Sequence, residues 1–407
     1  MIEKDTPEWL KETQNRSWEP EILISGITLT FLFLLSNHIH NFWSMQIQEF
    51  GVIDAIGRSL YVISMVFLTG LKIILFVHLV LRGIWTGYVG LSYVFPHGVH
   101  REKLNEQQKK IDYPRPAELV IRIERICSLL FSFIFSTITF GIGMVFVWTP
   151  AILLSVIGLN PKIVVWSAIG FCVVMGIAAI IVGILSSKKK TASKLDALIG
   201  QLTFANLQVI YGTNLGMGRM YLIFVLYFAA AAGLCWGDIT RFDFGDSEWK
   251  GSGGTSAIVH TDPALYLDTR DPELRIQRAA IPAYRMAGDE LELTIAYYKE
   301  DEYSVEVLRR HPKKFSEFDI EAEAAELDLR HVHEITLDGN KIQAGNWLRT
   351  ADSETGQTLF KVRIPIDGLD AGRHNLRIQK TTWNLKENIR PIENWVTIPF
   401  EIESANP

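Results

Sequence analysis

The stretch "LTGLKIILFVHLVLRGIW", Leu68 to Trp85, sets Lys72, His78 and Arg82 into a run otherwise apolar enough to lie in lipid. A hydrocarbon layer about 30 Å deep takes about 20 helical residues at roughly 1.5 Å each to cross. The stretch overlaps an apolar segment of that length, residues 60–81. Four more segments pass the same test, at 22–43, 118–148, 163–187 and 219–237. The sequence therefore predicts a bundle of about five transmembrane helices over residues 21–237, with a turn through Pro150 and Pro161 between the third and fourth spans. Residues 1–20 read as a cytoplasmic segment carrying a short surface helix begun by Thr6 and Pro7.

Composition divides the chain in the same place. It is 48% hydrophobic over 407 residues with a positive mean hydropathy of +0.15, together too apolar for an ordinary water-soluble enzyme. Residues 1–237 hold 14 acidic and 19 basic side chains, whereas 238–407 hold 31 and 21. The two parts are suited to different solvents.

Lysine and arginine in short loops mark the cytoplasmic side. The first 20 residues hold three, Ser36 to Gly51 none, Arg82 to Arg115 six, Thr149 to Lys162 one and Ser186 to Lys194 four. This alternation places the N-terminus in the cytoplasm and the C-terminal part outside it. Ala197 to Gly218 is uncharged but rich in Gln, Asn and Gly, which suits a re-entrant or interfacial helix better than a sixth span.

In this frame Arg82 anchors one helix at the cytoplasmic interface, and Lys72 lies about 15 Å deeper by helical rise. A charge at that depth needs a partner, water or a polar cavity. Lys72, His78 and Arg82 are thus the candidate lining of a pore for an anionic or polar solute. Asp54 and Glu124 read as the carboxylates nearest the spans, both close to span ends, so a cation-coupled carrier is not expected. Cys172, Gly176, Ala179 and Gly183 form a stripe of small residues on the fourth span, and Ala229 to Gly233 form another on the last. Such stripes let helices approach closely in lipid, within one chain or between subunits.

Residues 238–255 read as a Gly- and Ser-rich linker and 256–407 as an all-β domain. The strand candidates are "AIVHT", "ALYLDT", "ELELTIAYY", "YSVEVLRR", "HEITL", "LFKVRIPI", "HNLRIQKT" and "WVTIPFEIE". "DGN" at Asp338 to Asn340 and "DGLDAG" at Asp367 to Gly372 read as hairpin turns. The last 50 residues resemble the closing hairpins of immunoglobulin-like sandwiches, which implies a fold and no activity. All three cysteines, Cys127, Cys172 and Cys235, lie in apolar segments, so this domain forms no disulfide. That fits the inner membrane of a bacterium, with a periplasmic or extracellular domain, better than a eukaryotic ectodomain.

No GxSxG, GxxxxGK[ST] or HExxH pattern occurs. The acidic surface argues against nucleic acid as a partner. "HVHE" puts His331 and His333 on one side of a strand, a spacing a metal ion can use if a third ligand converges. Asp319, Glu321 and Glu323 are a weaker candidate for calcium. No cofactor is otherwise expected. The expected function is a non-enzymatic membrane subunit or scaffold, forming a homo-oligomer or joining other membrane proteins through the β domain. The alternatives are the solute channel and a membrane enzyme using the histidine metal site.

Overall fold

The computed structural model describes residues 18–157, 164, 166–167, 170, 205–242, 262–310, 329–342, 345–383 and 389–403. Its helices are α1 (Trp18–Gln48), α2 (Asp54–Val94), α3 (Pro116–Val156), α4 (Ala205–Leu215), α5 (Met217–Leu234), α6 (Trp236–Arg241) and α7 (Lys299–Arg310). Three of them, α1, α2 and α3, are long and apolar enough to cross a membrane, and α5 is a shorter apolar helix. The protein is thus built for membrane association. The fourth expected span, the linker, "AIVHT", the N-terminal surface helix and the acidic run from Asp319 to Asp328 lie wholly or mostly outside the described residues.

Local chemistry explains the helix starts. Glu19 and Glu21 occupy the first turn of α1, where negative charge meets the positive end of the helix dipole. Pro116 opens α3, a position where its missing N–H costs nothing. Gly51, at φ +73°, turns the chain from α1 into α2. The helices outrun the expected spans, however. α3 does not stop before Pro150 but carries it internally, a correction to the expected turn. Proline in a helix removes one backbone bond and crowds the preceding turn, yet it is tolerated in apolar helices whose neighbours support them. Within Ala197 to Gly218, residues 205–215 are helical and lead through Gly216, at φ +83°, into α5.

The chain divides into two units. One gathers the described parts of Met1–Ser36, Ile63–Val147 and Val173–Trp236; the other gathers those of Asn37–Val62, Trp148–Cys172 and Gly237–Pro407. In the first, two described glycines outside the small-residue stripes sit close to aromatic side chains. A Cβ on Gly70 would lie 2.7 Å from the Tyr227 hydroxyl, and one on Gly141 would lie 3.4 Å from the Phe67 ring. Gly83, Gly87, Gly90 and Gly233 meet nothing within 4 Å.

The second unit holds nine strands among the described residues: β1 (Ala279–Ala280), β2 (Arg285–Met286), β3 (Glu290–Ala296), β4 (His333–Leu337), β5 (Asn340–Lys341), β6 (Leu348–Ala351), β7 (Thr358–Pro365), β8 (Gly372–Trp383) and β9 (Ile389–Ile402). They form two sheets, ordered β1-β3-β7-β6 and β2-β9-β8-β4-β5. Neighbours are antiparallel except β2, which runs parallel to β9. Alternation buries one row of β4, where His333, Ile335 and Leu337 are buried and the residues between are half-exposed. Leu291, Leu293, Ile295, Val362, Ile364, Leu376, Ile378, Ile398 and Phe400 are fully enclosed and form the core.

"DGN" makes the expected tight turn between β4 and β5, with Asp338 at φ 49° and Gly339 at φ 85°. "DGLDAG" instead crosses from β7 in one sheet to β8 in the other. "ALYLDT" forms a short 3-10 turn at Pro263–Leu265 rather than a strand. "YSVEVLRR" belongs to helix α7, whose buried Asp301, Ser304, Val305 and Leu308 repeat at helical spacing.

Candidate functional site

In the helical unit the charges of the opening stretch are enclosed by the packing. Arg82 is 1% exposed and His78 fully buried. Arg82 Nη1 donates to Glu124 Oε2 at 2.7 Å and Nη2 to Glu124 Oε1 at 3.3 Å, while Nη2 also donates to the Glu21 carboxylate. One guanidinium thus joins carboxylates from α1 and α3 to α2. Its fork geometry suits this better than an ammonium would. His78, one turn earlier on α2, sets Nδ1 3.1 Å from Ser25 Oγ and Nε2 3.6 Å from Glu21 Oε2. The Trp85 ring lies 5.5 Å from the Arg82 guanidinium carbon, and Phe131 of α3 flanks the imidazole.

Lys72 lies apart from this cluster. Its Nζ donates to Ser36 Oγ at 2.7 Å and stands 5.2 Å from the Phe33 ring centroid. The structure therefore brings His78 and Arg82 together, leaves Lys72 with α1, and adds Glu21 and Ser25, which sequence reading missed. Glu21 sits one residue before the first apolar run, and no local pattern marks it as the partner of Arg82. Ala229 and Gly233 are exposed on α5, and Cys172, Gly176, Ala179 and Gly183 lie outside the described residues.

In the β unit a second buried cluster occupies the end of the inner row. Lys380 of β8 and His333 of β4 are register partners pointing inward. Asp301 of α7, 2% exposed, covers them, with Lys380 Nζ 2.7 Å from Asp301 Oδ1 and His333 Nε2 3.8 Å from Oδ2. The Lys380 ammonium also lies 4.1 Å and 4.9 Å from the ring centroids of Tyr298 and Trp395, an aromatic lid that favours a cation. Half-buried Glu300 is pushed up to about 7 by burial, with Asp54 and Asp301 adding to the rise and Lys380 and Arg58 opposing it. His331 lies half-buried in the 3-10 turn Leu329–Val332, so it does not share a strand face with His333. Among the described residues no group of three or more His, Cys, Asp or Glu side chains is gathered as a metal site requires.

No family model, curated protein or solved structure matches the chain.

A third polar assembly fastens the ends of α1 and the β segments within the same unit. Arg275, 4% exposed, donates Nε to Gln48 Oε1 at 3.2 Å and Nη2 to the Glu49 carboxylate. Gln48 Nε2 donates to the Ile276 carbonyl at 2.9 Å, and Gln357 donates to both Gln48 Oε1 and that carbonyl, at 3.0 and 2.7 Å. Asn41 clasps the chain on either side, donating to the Glu273 carbonyl at 2.6 Å and accepting from the Arg275 amide at 3.0 Å. His40 and Ser44 meet Gln277 Nε2 at 3.1 and 2.7 Å.

At the far turn of the β unit, His374 Nδ1 lies 2.7 Å from Asp338 Oδ2 and its Nε2 lies 2.8 Å from the Asp370 carbonyl. The Asp338 bond holds His374 above its usual value, against burial. Burial alone would raise Asp338, but His374 and the Asn375 amide pull it below the usual carboxylate range. His374 therefore contributes stability that is complete below its unfolded value of about 6.5 and is lost as pH rises through its raised folded value. Asp338 contributes above about 3.9 and loses its share as pH falls through its lowered folded value. The latch is strongest between those limits. Protection of the Asn375 amide, corrected for intrinsic exchange, is expected to fall on either side of this window in the native chain and to lose that dependence in Asp338→Asn.

Proposed function

We propose that the chain is a non-enzymatic integral membrane protein, a subunit or scaffold of an oligomeric complex, whose β domain binds a partner. The observation that carries this reading is the Arg275 assembly. There Asn41, Gln48 and Glu49 at the end of an apolar helix are spent on fastening a water-soluble domain, with their polar atoms bonded to one another rather than presented to a substrate. Side-chain bonds at Glu273 to Gln277 hold the segment Asn37 to Glu49 within the same unit as the β sheets. In this reading the N-terminus is cytoplasmic, five spans cross a bacterial inner membrane, and an immunoglobulin-like domain stands outside. Two sheets whose neighbours are antiparallel except at β2, with a closing β8–β9 pair, support that fold. The partner is another membrane protein or a second copy of the chain.

Purification in mild detergent, followed by native mass measurement, tests this function. A stoichiometric complex is expected; a lone monomer with no co-purifying protein overturns the proposal. The assembly itself is tested with Arg275→Ala, which takes the counter-charge from the Glu49 carboxylate and leaves Gln48 Oε1 with the Gln357 bond. Removing one partner of a buried pair costs on the order of 3 kcal/mol, less here because Glu49 keeps 28% of its side-chain exposure. Amides from Asn41 to Glu49 are expected to exchange at least about tenfold faster, and unchanged exchange would remove the fastening role. The solute-path alternative draws no support from Lys72 and His78, since the first is bonded to Ser36 and the second is fully enclosed.

A further inference from the structure

We propose that His78, Glu21 and Ser25 form a buried proton-binding site, whose occupied form is an imidazolium bridging the Glu21 carboxylate and the Ser25 hydroxyl. Three observations converge on it. The imidazole and Ser25 are both fully buried, and His78 Nε2 has no hydrogen-bond partner within normal distance while facing Glu21 Oε2 at 3.6 Å. The surrounding charge is unbalanced, because Arg82 supplies one positive charge against two carboxylates. The third is the chemistry of Ser25, 3.1 Å from Nδ1. A hydroxyl both donates and accepts, so it can give its hydrogen to neutral Nδ1 or take one from a protonated Nδ1 by turning about a single bond.

The step is a simple proton uptake. A hydrated proton adds to Nδ1, one N–H bond forms, the Ser25 hydroxyl reverses from donor to acceptor, and Nε2–H points at Glu21. The net charge of Glu21, Glu124, Arg82 and His78 passes from minus one to zero. Among the described residues, the charged and titratable groups set around the imidazole are Glu21 of α1 beside Ser25, Arg82 of α2 and, beyond the Phe131 ring, Glu124 of α3, with the Cys127 thiol near those three charges. Glu124 retains 34% of its side-chain exposure. Uptake strengthens the hold of α1 on α2, because the imidazolium adds a second cation to the one carboxylate α1 contributes.

The test uses the full-length chain in phosphatidylglycerol-containing lipid nanodiscs with nitrogen-15 labelled histidine, followed by magnetic resonance. The chain has ten histidines, and His78 is assigned as the signal lost in His78→Gln. Should that variant fail to fold, the signal displaced by Ser25→Ala gives the assignment. In the native chain this signal is expected to pass from a neutral to a doubly protonated imidazole as pH is lowered through the whole range in which the chain stays folded. In Glu21→Gln the doubly protonated signal is expected to be lost at the pH where the native chain shows it half formed. A His78 ring that stays neutral across the whole range overturns the proposal, as does a charged form that survives unchanged in Glu21→Gln.

Discussion

Replacing Arg82 with methionine is expected to destabilise the helical unit by roughly 3 to 5 kcal/mol, the cost of leaving one partner of a buried ion pair without its counter-charge. Most of the loss falls on Glu21, whose side chain is 10% exposed; Glu124, at 34%, keeps contact with water and adds less. Denaturant unfolding followed by helical circular dichroism in mixed micelles reads the effect. The double variant Arg82→Met with Glu21→Gln is expected to recover much of the stability, since the remaining carboxylate is the partly hydrated one. Arg82→Lys is expected to be intermediate, because an ammonium cannot bond two carboxylates through a planar fork. An Arg82→Met chain as stable as the native one would mean that the guanidinium is hydrated in solution and that α1, α2 and α3 are held by apolar packing alone.

The second large effect is expected at Lys380→Met. The methionine chain fits beneath Tyr298 and Trp395, but Asp301, 2% exposed, loses the ammonium 2.7 Å from its carboxylate. A loss on the order of 3 kcal/mol lowers the melting temperature of a domain of this size by about 6 to 12 °C. Lys380→Met combined with Asp301→Asn is expected to melt well above the single variant, because no buried charge remains without a partner. Calorimetry of the full chain distinguishes the two. Equal melting of both variants would show that the damage is one of shape rather than charge.

The long helices were legible because a uniformly apolar run of about 20 residues leaves few other options for a backbone in oil. Their ends were not legible. Apolar character marks what lipid tolerates, whereas α1 and α2 continue into segments such as Asn37 to Gln48 and Asp54 to Val62 that are paired with the β unit. Strands β3, β4, β7, β8 and β9 followed from alternation. α7 was misread because Tyr303, Val305 and Val307 also alternate, and two periods fit so short a run. Its charges held the better signal: Glu300, Asp301 and Glu302 open it and Arg309 and Arg310 close it, the polarity of a helix dipole.

The candidate sites were legible only as isolated residues. His78 and Arg82 stood out as charges in an apolar run, but nothing local indicated that Glu21, 61 positions before Arg82, would meet it. Arg275, Gln48 and Gln357 likewise come from distant segments and carry no motif. Such pairings are fixed by tertiary packing, which one sequence does not display.

α2 has one more consequence, through its length alone. Its 41 residues make a rod of about 60 Å, close to twice the depth of the oily layer. Even leaning at about 40°, the steepest angle common among membrane helices, such a rod would still rise about 45 Å along the bilayer normal. Some 15 Å of it must then stand among headgroups or in water, so thickening or thinning the bilayer by a few ångströms would slide the boundary along the rod without stretching it.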